Sequence, residues 1–197
     1  MTAKTHTTAV VIVPPPSVWP PIQAIRQRHD RNLRRWMPHI TLLYPFAPRA
    51  DFAEVAPILE AACEMVAPVR VMLARFGVFS HGRRGATIYL APEPADELIA
   101  LQTRLWQALP AYDDTRRYPG GFTPHLSVGQ AQDEAEARAL VEGLAGSWQP
   151  LRFSVEAVQL IWRGEPPDDA APCLGDFRVV LPQMPGRSTG AVCLRLT

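Results

Sequence analysis

Two short segments of this chain repeat one another: Pro38-His39-Ile40-Thr41-Leu42 and Pro124-His125-Leu126-Ser127-Val128. Each reads proline, histidine, apolar, hydroxyl, apolar. In a β-strand residues i and i+2 project from one face, so His39 and Thr41 share a face while Ile40 and Leu42 turn to a core. His125 and Ser127, backed by Leu126 and Val128, obey the same rule. Each proline suits the entry of a strand, where it fixes the backbone just ahead of the histidine. His-x-Ser/Thr alone is a weak signal, and His6-Thr7-Thr8 is a chance match without the proline, the following apolar residue or a partner. It is set aside.

The surrounding pattern supports a duplication. Thr7–Val13 is a β-branched run stopped by Pro14-Pro15-Pro16, and His39–Tyr44 is a second strand stopped by Pro45. Between them Ser17 is expected to cap a helix with Pro20 and Pro21 in its first turns and a basic face of Arg26, Arg28, Arg31, Arg34 and Arg35. Asp51 is expected to cap a second helix running to about Val66. Val69–Phe79 and Ala86–Ala91 predict a hairpin around the turn Ser80-His81-Gly82-Arg83-Arg84-Gly85. Leu98, Leu101, Leu105 and Leu109 mark a third helix. The second half predicts a strand at His125–Gly129, a helix at Asp133–Leu144, a strand at Leu151–Trp162 and another at Phe177–Leu181. Aligned by order, strand–helix–strand–strand units at about 36–94 and 122–184 repeat, with Ile88–Leu90 opposite Val179–Leu181. The expected organisation is one domain over residues 1–184 and a loose tail over 185–197, in which Val192-Cys193-Leu194 can add an edge strand.

Composition narrows the function. The 197 residues carry 20 Lys+Arg against 19 Asp+Glu, which excludes a polybasic protein that holds nucleic acid by bulk charge. No apolar run reaches the length of a membrane helix, and the polar start lacks the pattern of a secretory signal, so a cytoplasmic protein with no membrane role is expected. Cys63, Cys173 and Cys193 are scattered and predict neither a disulfide framework nor a zinc site. The 21 prolines punctuate the chain and predict many turns.

A pair of imidazoles suits phosphodiester chemistry. With an ordinary pKa near 6.5, one can be neutral and one charged near neutral pH, giving a general base and a general acid. The hydroxyls of Thr41 and Ser127 can donate to the non-bridging phosphate oxygens. No metal is needed, and symmetry leaves the acid and base assignments open.

The two histidine segments, in register with the repeat, resemble the signature of the two-histidine (2H) phosphoesterase superfamily, which includes 2'-5' RNA ligase-like proteins and RNA cyclic phosphodiesterases. The resemblance covers about residues 7–182. It implies an α+β fold of two pseudo-symmetric lobes, each an antiparallel sheet with helices outside, and a groove between them. It implies His39, Thr41, His125 and Ser127 as catalytic residues, with no cofactor and no metal. It also implies opening of 2',3'-cyclic phosphates at an RNA 3' end or on a small cyclic nucleotide, leaving a 2'-phosphate. Alternatives are a 2'-5' phosphodiesterase or ligase, and a noncatalytic RNA-end-binding module. The chain departs from the family's common pattern at one place, where Gly129-Gln130 replaces the frequent Ala-Arg. Tyr44 and Phe122 are candidates to stack a base, and Arg83 and Arg163 to bind phosphate. A monomer is expected.

Overall fold

The computed structural model describes residues 3–64, 66–117 and 120–164, and the strand backbone of residues 173–180. The β-branched run opens the chain as β1 (Thr8–Ile12), and a 3-10 turn at Pro16–Val18 leads into α1 (Trp19–His29). β2 (Ile40–Leu43) follows the first histidine, then α2 (Phe52–Cys63) and the long hairpin of β3 (Val69–Ser80) and β4 (Ala86–Glu93). α3 (Ala95–Ala108) leads to β5 (Leu126–Ala131), which follows the second histidine. α4 (Glu134–Ala145), β6 (Leu151–Val155), β7 (Ala157–Trp162) and β8 (Cys173–Val180) complete the described elements.

The strands form two antiparallel four-stranded sheets, ordered β2-β1-β7-β8 and β5-β4-β3-β6. Each histidine strand is therefore an edge strand beside an equivalent inner strand, β1 in one sheet and β4 in the other. Neither sheet comes from one half of the chain, because β3 crosses into the sheet of β5 and β7 into the sheet of β2. By place in the sheet β4 matches β1, not β8, which corrects the alignment of Ile88–Leu90 with Val179–Leu181. The expected single strand over Leu151–Trp162 is two strands, one in each sheet. The tail at 185–197 and the suggested strand at Val192-Cys193-Leu194 lie outside the described residues.

The helices bind the sheets together. α1 joins β1 to β2 yet packs on β5, and α3 joins β4 to β5 yet packs on β2. Ile22, Ile25 and Arg26 of α1, and Leu98, Leu101, Gln102 and Leu105 of α3, form buried stripes at helical spacing. The main core runs without a break through Val10, Ile12, Ile40 and Leu42 of one sheet to Ile88, Leu90, Leu126 and Val128 of the other. Burying each such side chain is worth roughly 1.5–3 kcal/mol.

Three local expectations need correction. Ser17 lies in the 3-10 turn, and α1 begins two residues later with no side-chain cap. Its prolines suffice, since they fix helical φ where no N–H partner exists. Asp51 precedes α2 but makes no capping bond, again after a 3-10 turn. The basic face of α1 breaks up: the helix ends at His29, and Arg26 is buried in an ion pair with Asp30, Nε–H donating to Oδ2 at 2.7 Å. Asp133 does cap α4, accepting the Glu136 N–H, while the Glu136 carboxylate accepts the Gln132 N–H.

Candidate active site

The expected face alternation holds in both segments. His39, Thr41, His125 and Ser127 are half-buried, whereas Ile40, Leu42, Leu126 and Val128 are fully buried. In each strand one extra residue follows the hydroxyl. Val11 pairs with Thr41 but Val10 with Leu43, and Tyr89 pairs with Ser127 but Ile88 with Gly129. Leu42 and Val128 are thus matching bulge residues, each anchored in the core, and a bulge bends the strand and re-aims the side chains beside it. Under the first bulge, the Thr115 hydroxyl donates to the Leu42 carbonyl, and the buried Gln102 amide donates to Thr115.

The histidines are held in the same way. His39 Nδ1 lies 2.7 Å from the Met37 carbonyl, and His125 Nδ1 lies 2.8 Å from the Thr123 carbonyl. A carbonyl only accepts, so each Nδ1 carries a proton and each Nε2 is left to exchange one with a substrate. Burial lowers both pKa values. For His39 it is the largest of several causes that bring the value to about 4; the charges of Arg26 and His125 push the same way, while the Met37 bond and Asp30 oppose. His125 is lowered by burial and partly restored by its bond to Thr123. The charge of His125 is thus among the influences that reach His39.

Burial of His39 also makes stability depend on pH. The unfolded chain binds a proton at His39 more tightly than the folded one does. The contribution is therefore fully present above about pH 6.5 and is lost as pH falls toward 4, by about 3 kcal/mol at most. Following the imidazole resonances by NMR should show His39 neutral at pH 5. A His39 midpoint at 6.5 would contradict its desolvation.

Aromatic rings flank both imidazoles. Trp36 lies 6.0 Å from His39, and the stacked pair Phe79 and Tyr89 lies 4.9 and 5.6 Å from His125. Phe79 and Tyr89 are not among the candidates read from the sequence. Their signal is strand parity, since Thr87 and Tyr89 alternate with the buried Ala86, Ile88 and Leu90. Gly77 makes the arrangement possible: a Cβ there would lie 2.3 Å from Tyr89 Cζ.

The other candidates divide. Tyr44 is half-buried, packs edge-on against His6 at 5.5 Å and donates its hydroxyl to the His6 carbonyl. Arg163 is buried rather than presented on an open loop. Its Nη2–H donates to the His6 carbonyl, and its guanidinium lies 5.6 Å from the Trp36 ring. Phe122 is 9% exposed within the main core, so it packs and does not wall the site. Arg83 is exposed on the β3–β4 turn.

The Gly129-Gln130 departure has a structural reason. A Cβ on Gly129 would sit 2.8 Å from His29 Cβ, so glycine lets the end of α1 lie against β5. Gln130 then ties the halves together: its Nε2 donates to Asp30 Oδ1 and its Oε1 accepts the Arg31 N–H. Asp30 is paired with Arg26, whose Nη2 donates to the Trp36 carbonyl three residues before His39. A partly buried polar chain therefore links β5 to the segment that leads into His39. Among the described residues no three of His, Cys, Asp and Glu gather in a metal-binding group.

A two-sheet α+β fold that carries one histidine and one hydroxyl at the same place on each sheet defines a two-histidine phosphoesterase. The chain belongs to the 2'-5' RNA ligase superfamily, whose family model matches residues 14–167. A Bacillus pumilus (strain SAFR-032) protein called "Putative phosphoesterase" is 29% identical over 128 residues, 64% of this chain and 71% of its own. An Oceanobacillus iheyensis relative with the same description is 24% identical over 155 residues, 78% of this chain and 88% of its own. Among solved structures, TT0787 of Thermus thermophilus superposes with TM-score 0.60 at 18% identity, covering 90% of this chain and 99% of its own. E. coli LigT complexed with 3'-AMP gives TM-score 0.59 at 15% identity, covering 92% and 100%. These two share the fold. No helix of the described residues is long and apolar enough to cross a membrane.

Proposed function

We propose that the protein opens 2',3'-cyclic phosphates at RNA 3' ends or on small nucleotides to give 2'-phosphates, with His39 as general base and His125 as general acid. The observation that carries this reading is the matched pair of imidazoles, each with Nδ1 fixed on the carbonyl two residues before it and Nε2 left for chemistry. The electrostatics supports these roles: burial first, with the charges of Arg26 and His125 behind it, lowers His39 to about 4 and keeps it the unprotonated partner.

In the step, His39 Nε2 takes a proton from water as the water oxygen bonds to phosphorus. The bond from phosphorus to the ribose O3' breaks, and His125 Nε2 gives O3' its proton. The product is a 2'-phosphate, and the net proton moved from one imidazole to the other returns through solvent. The anionic phosphate entering beside His125 opposes the effect of burial and stabilises the imidazolium. Thr41 and Ser127 donate to the non-bridging oxygens as charge builds on the pentacoordinate state. Trp36, Tyr44, Phe79 and Tyr89 offer faces for a base, and stacking of this kind is worth about 1–3 kcal/mol. That LigT has been crystallised with 3'-AMP and with phosphate is in keeping with a nucleotide substrate.

A panel of 2',3'-cyclic, 3',5'-cyclic and 2'-5'-linked nucleotides, assayed with excess EDTA, tests the reading. Turnover of the 2',3'-cyclic members alone, unchanged by chelator, is expected. Preferred cleavage of 2'-5' linkages would favour the alternative diesterase. A rate that collapses with EDTA and returns with one metal would remove the two-histidine mechanism.

A further inference from the structure

A cleft of about 410 Å³ lies at the far end of β5, lined by His29, Arg31, Arg83, Arg84, Gln130 and Glu136 among others. Its charge is concentrated. The whole chain carries a net charge of +1, yet the lining here holds Arg31, Arg83 and Arg84 against the one carboxylate of Glu136. That carboxylate is already engaged at the N-terminus of α4, where Glu136 accepts the Gln132 N–H at 2.7 Å. Elsewhere on the surface Arg75, Arg117 and Arg138 are paired with acids. The side chains of Arg31, Arg83 and Arg84 form no ion pair or hydrogen bond among the described residues, and all three are exposed.

The backbone presents these arginines toward one place. Gly85, at φ +94°, brings the Arg83-Arg84 turn so close to β5 that a Cβ would lie 2.5 Å from the Ala131 carbonyl oxygen. Arg31 is fixed from the other side, its N–H held by Gln130 Oε1 at 3.0 Å. Gln130 lies on the same sheet face as Thr87, its partner across the ladder, two residues along β4 from the Tyr89 that pairs with Ser127. The cleft therefore continues the face that carries Ser127, about 7 Å along the ladder, two residues of β4 at roughly 3.3 Å each.

We propose that this cleft seats the phosphates of an RNA chain on the 5' side of the reacting end, making oligoribonucleotides the preferred substrates over mononucleotides. The inference rests on the cyclic-phosphate reading of the histidine site. A 2',3'-cyclic phosphate exists only on a ribonucleotide, so a further phosphate beside it is either that nucleotide's own 5'-phosphate or a linkage of the chain. Arginine suits either, because its planar fork takes two phosphate oxygens at once. Three arginines at one cleft outnumber a single 5'-phosphate and so favour the chain, which brings successive linkages to them.

The test compares kcat/KM for cytidine 2',3'-cyclic phosphate, the same nucleotide with a 5'-phosphate, and cyclic-phosphate-ended oligomers of two to six residues. For wild type the value should climb with length by about tenfold or more and then level off. In Arg83→Ala/Arg84→Ala and in Arg31→Ala, the ratio of tetramer to mononucleotide should fall by about tenfold. The salt slope of tetramer binding should drop by about 0.7 for each phosphate that an arginine no longer neutralises. An unchanged ratio in both variants would overturn the proposal, as would a 5'-phosphate alone supplying the whole gain. Fluorescence anisotropy with a 5'-labelled tetramer ending in a 2'-phosphate separates the two readings. If wild type turned over no cyclic phosphate yet bound this tetramer through Arg83 and Arg84, the chemistry would fail and the RNA seat would stand. Binding indifferent to those arginines would remove the seat whatever the chemistry.

Discussion

His39→Ala and His125→Ala should each lower kcat on a 2',3'-cyclic nucleotide by about 10²–10⁴, the usual loss when a general acid or base is removed. Because both imidazoles serve one displacement, the double variant should be barely slower than either single one. The pH profiles should separate the roles. In kcat/KM, which reports the free enzyme, the acid limb belongs to His39 and should fall near pH 4. The alkaline limb belongs to His125, whose value lies below the usual 6.5, so activity should decline as pH rises through that range. His39→Ala should lose the acid limb and His125→Ala the alkaline one. Multiplicative losses in the double variant would mean that the histidines act in separate steps.

Arg26→Ala should cost about 3–5 kcal/mol of folding stability, measured by urea denaturation. Arg26 and Asp30 are both 3% exposed, and removing the guanidinium leaves a buried carboxylate without its charge partner. The same substitution frees the Trp36 carbonyl, to which Arg26 Nη2 donates at 2.7 Å, and so loosens the chain three residues before His39. Activity of whatever remains folded should fall as well. Arg26→Met combined with Asp30→Leu should recover much of the stability, since the desolvation cost of two charges disappears with them, but not the tie to Trp36 or to Gln130. A loss under about 1 kcal/mol in Arg26→Ala would show that the pair bears little of the fold.

The histidine strands were legible because their information is local. Proline entry, period-2 alternation and matching hydroxyls at Thr41 and Ser127 need no partner strand to be recognised. The exchange of β3 and β7 between sheets was not legible, since pairing is a long-range choice and the run from Leu151 to Trp162 reads as one uninterrupted strand. Arg26 misleads for a related reason. On its own helix it continues a basic face, and only the arrival of Asp30, Trp36 and Gln130 around it makes burial tolerable. Phe122, next to the motif in sequence, points into the core. Phe79 and Tyr89, far from the motif in sequence, reach His125 only because β4 pairs with β5.

Single-turnover hydrolysis of an RNA ending in a 2',3'-cyclic phosphate, run in ¹⁸O-water and read by mass spectrometry with the position of the phosphate resolved, tests the central claim most directly. Wild type should yield a terminal 2'-phosphate carrying one ¹⁸O, with His39→Ala and His125→Ala yielding almost none on the same time scale. A 3'-phosphate product, or full incorporation by the double variant, would contradict a displacement run by the two histidines.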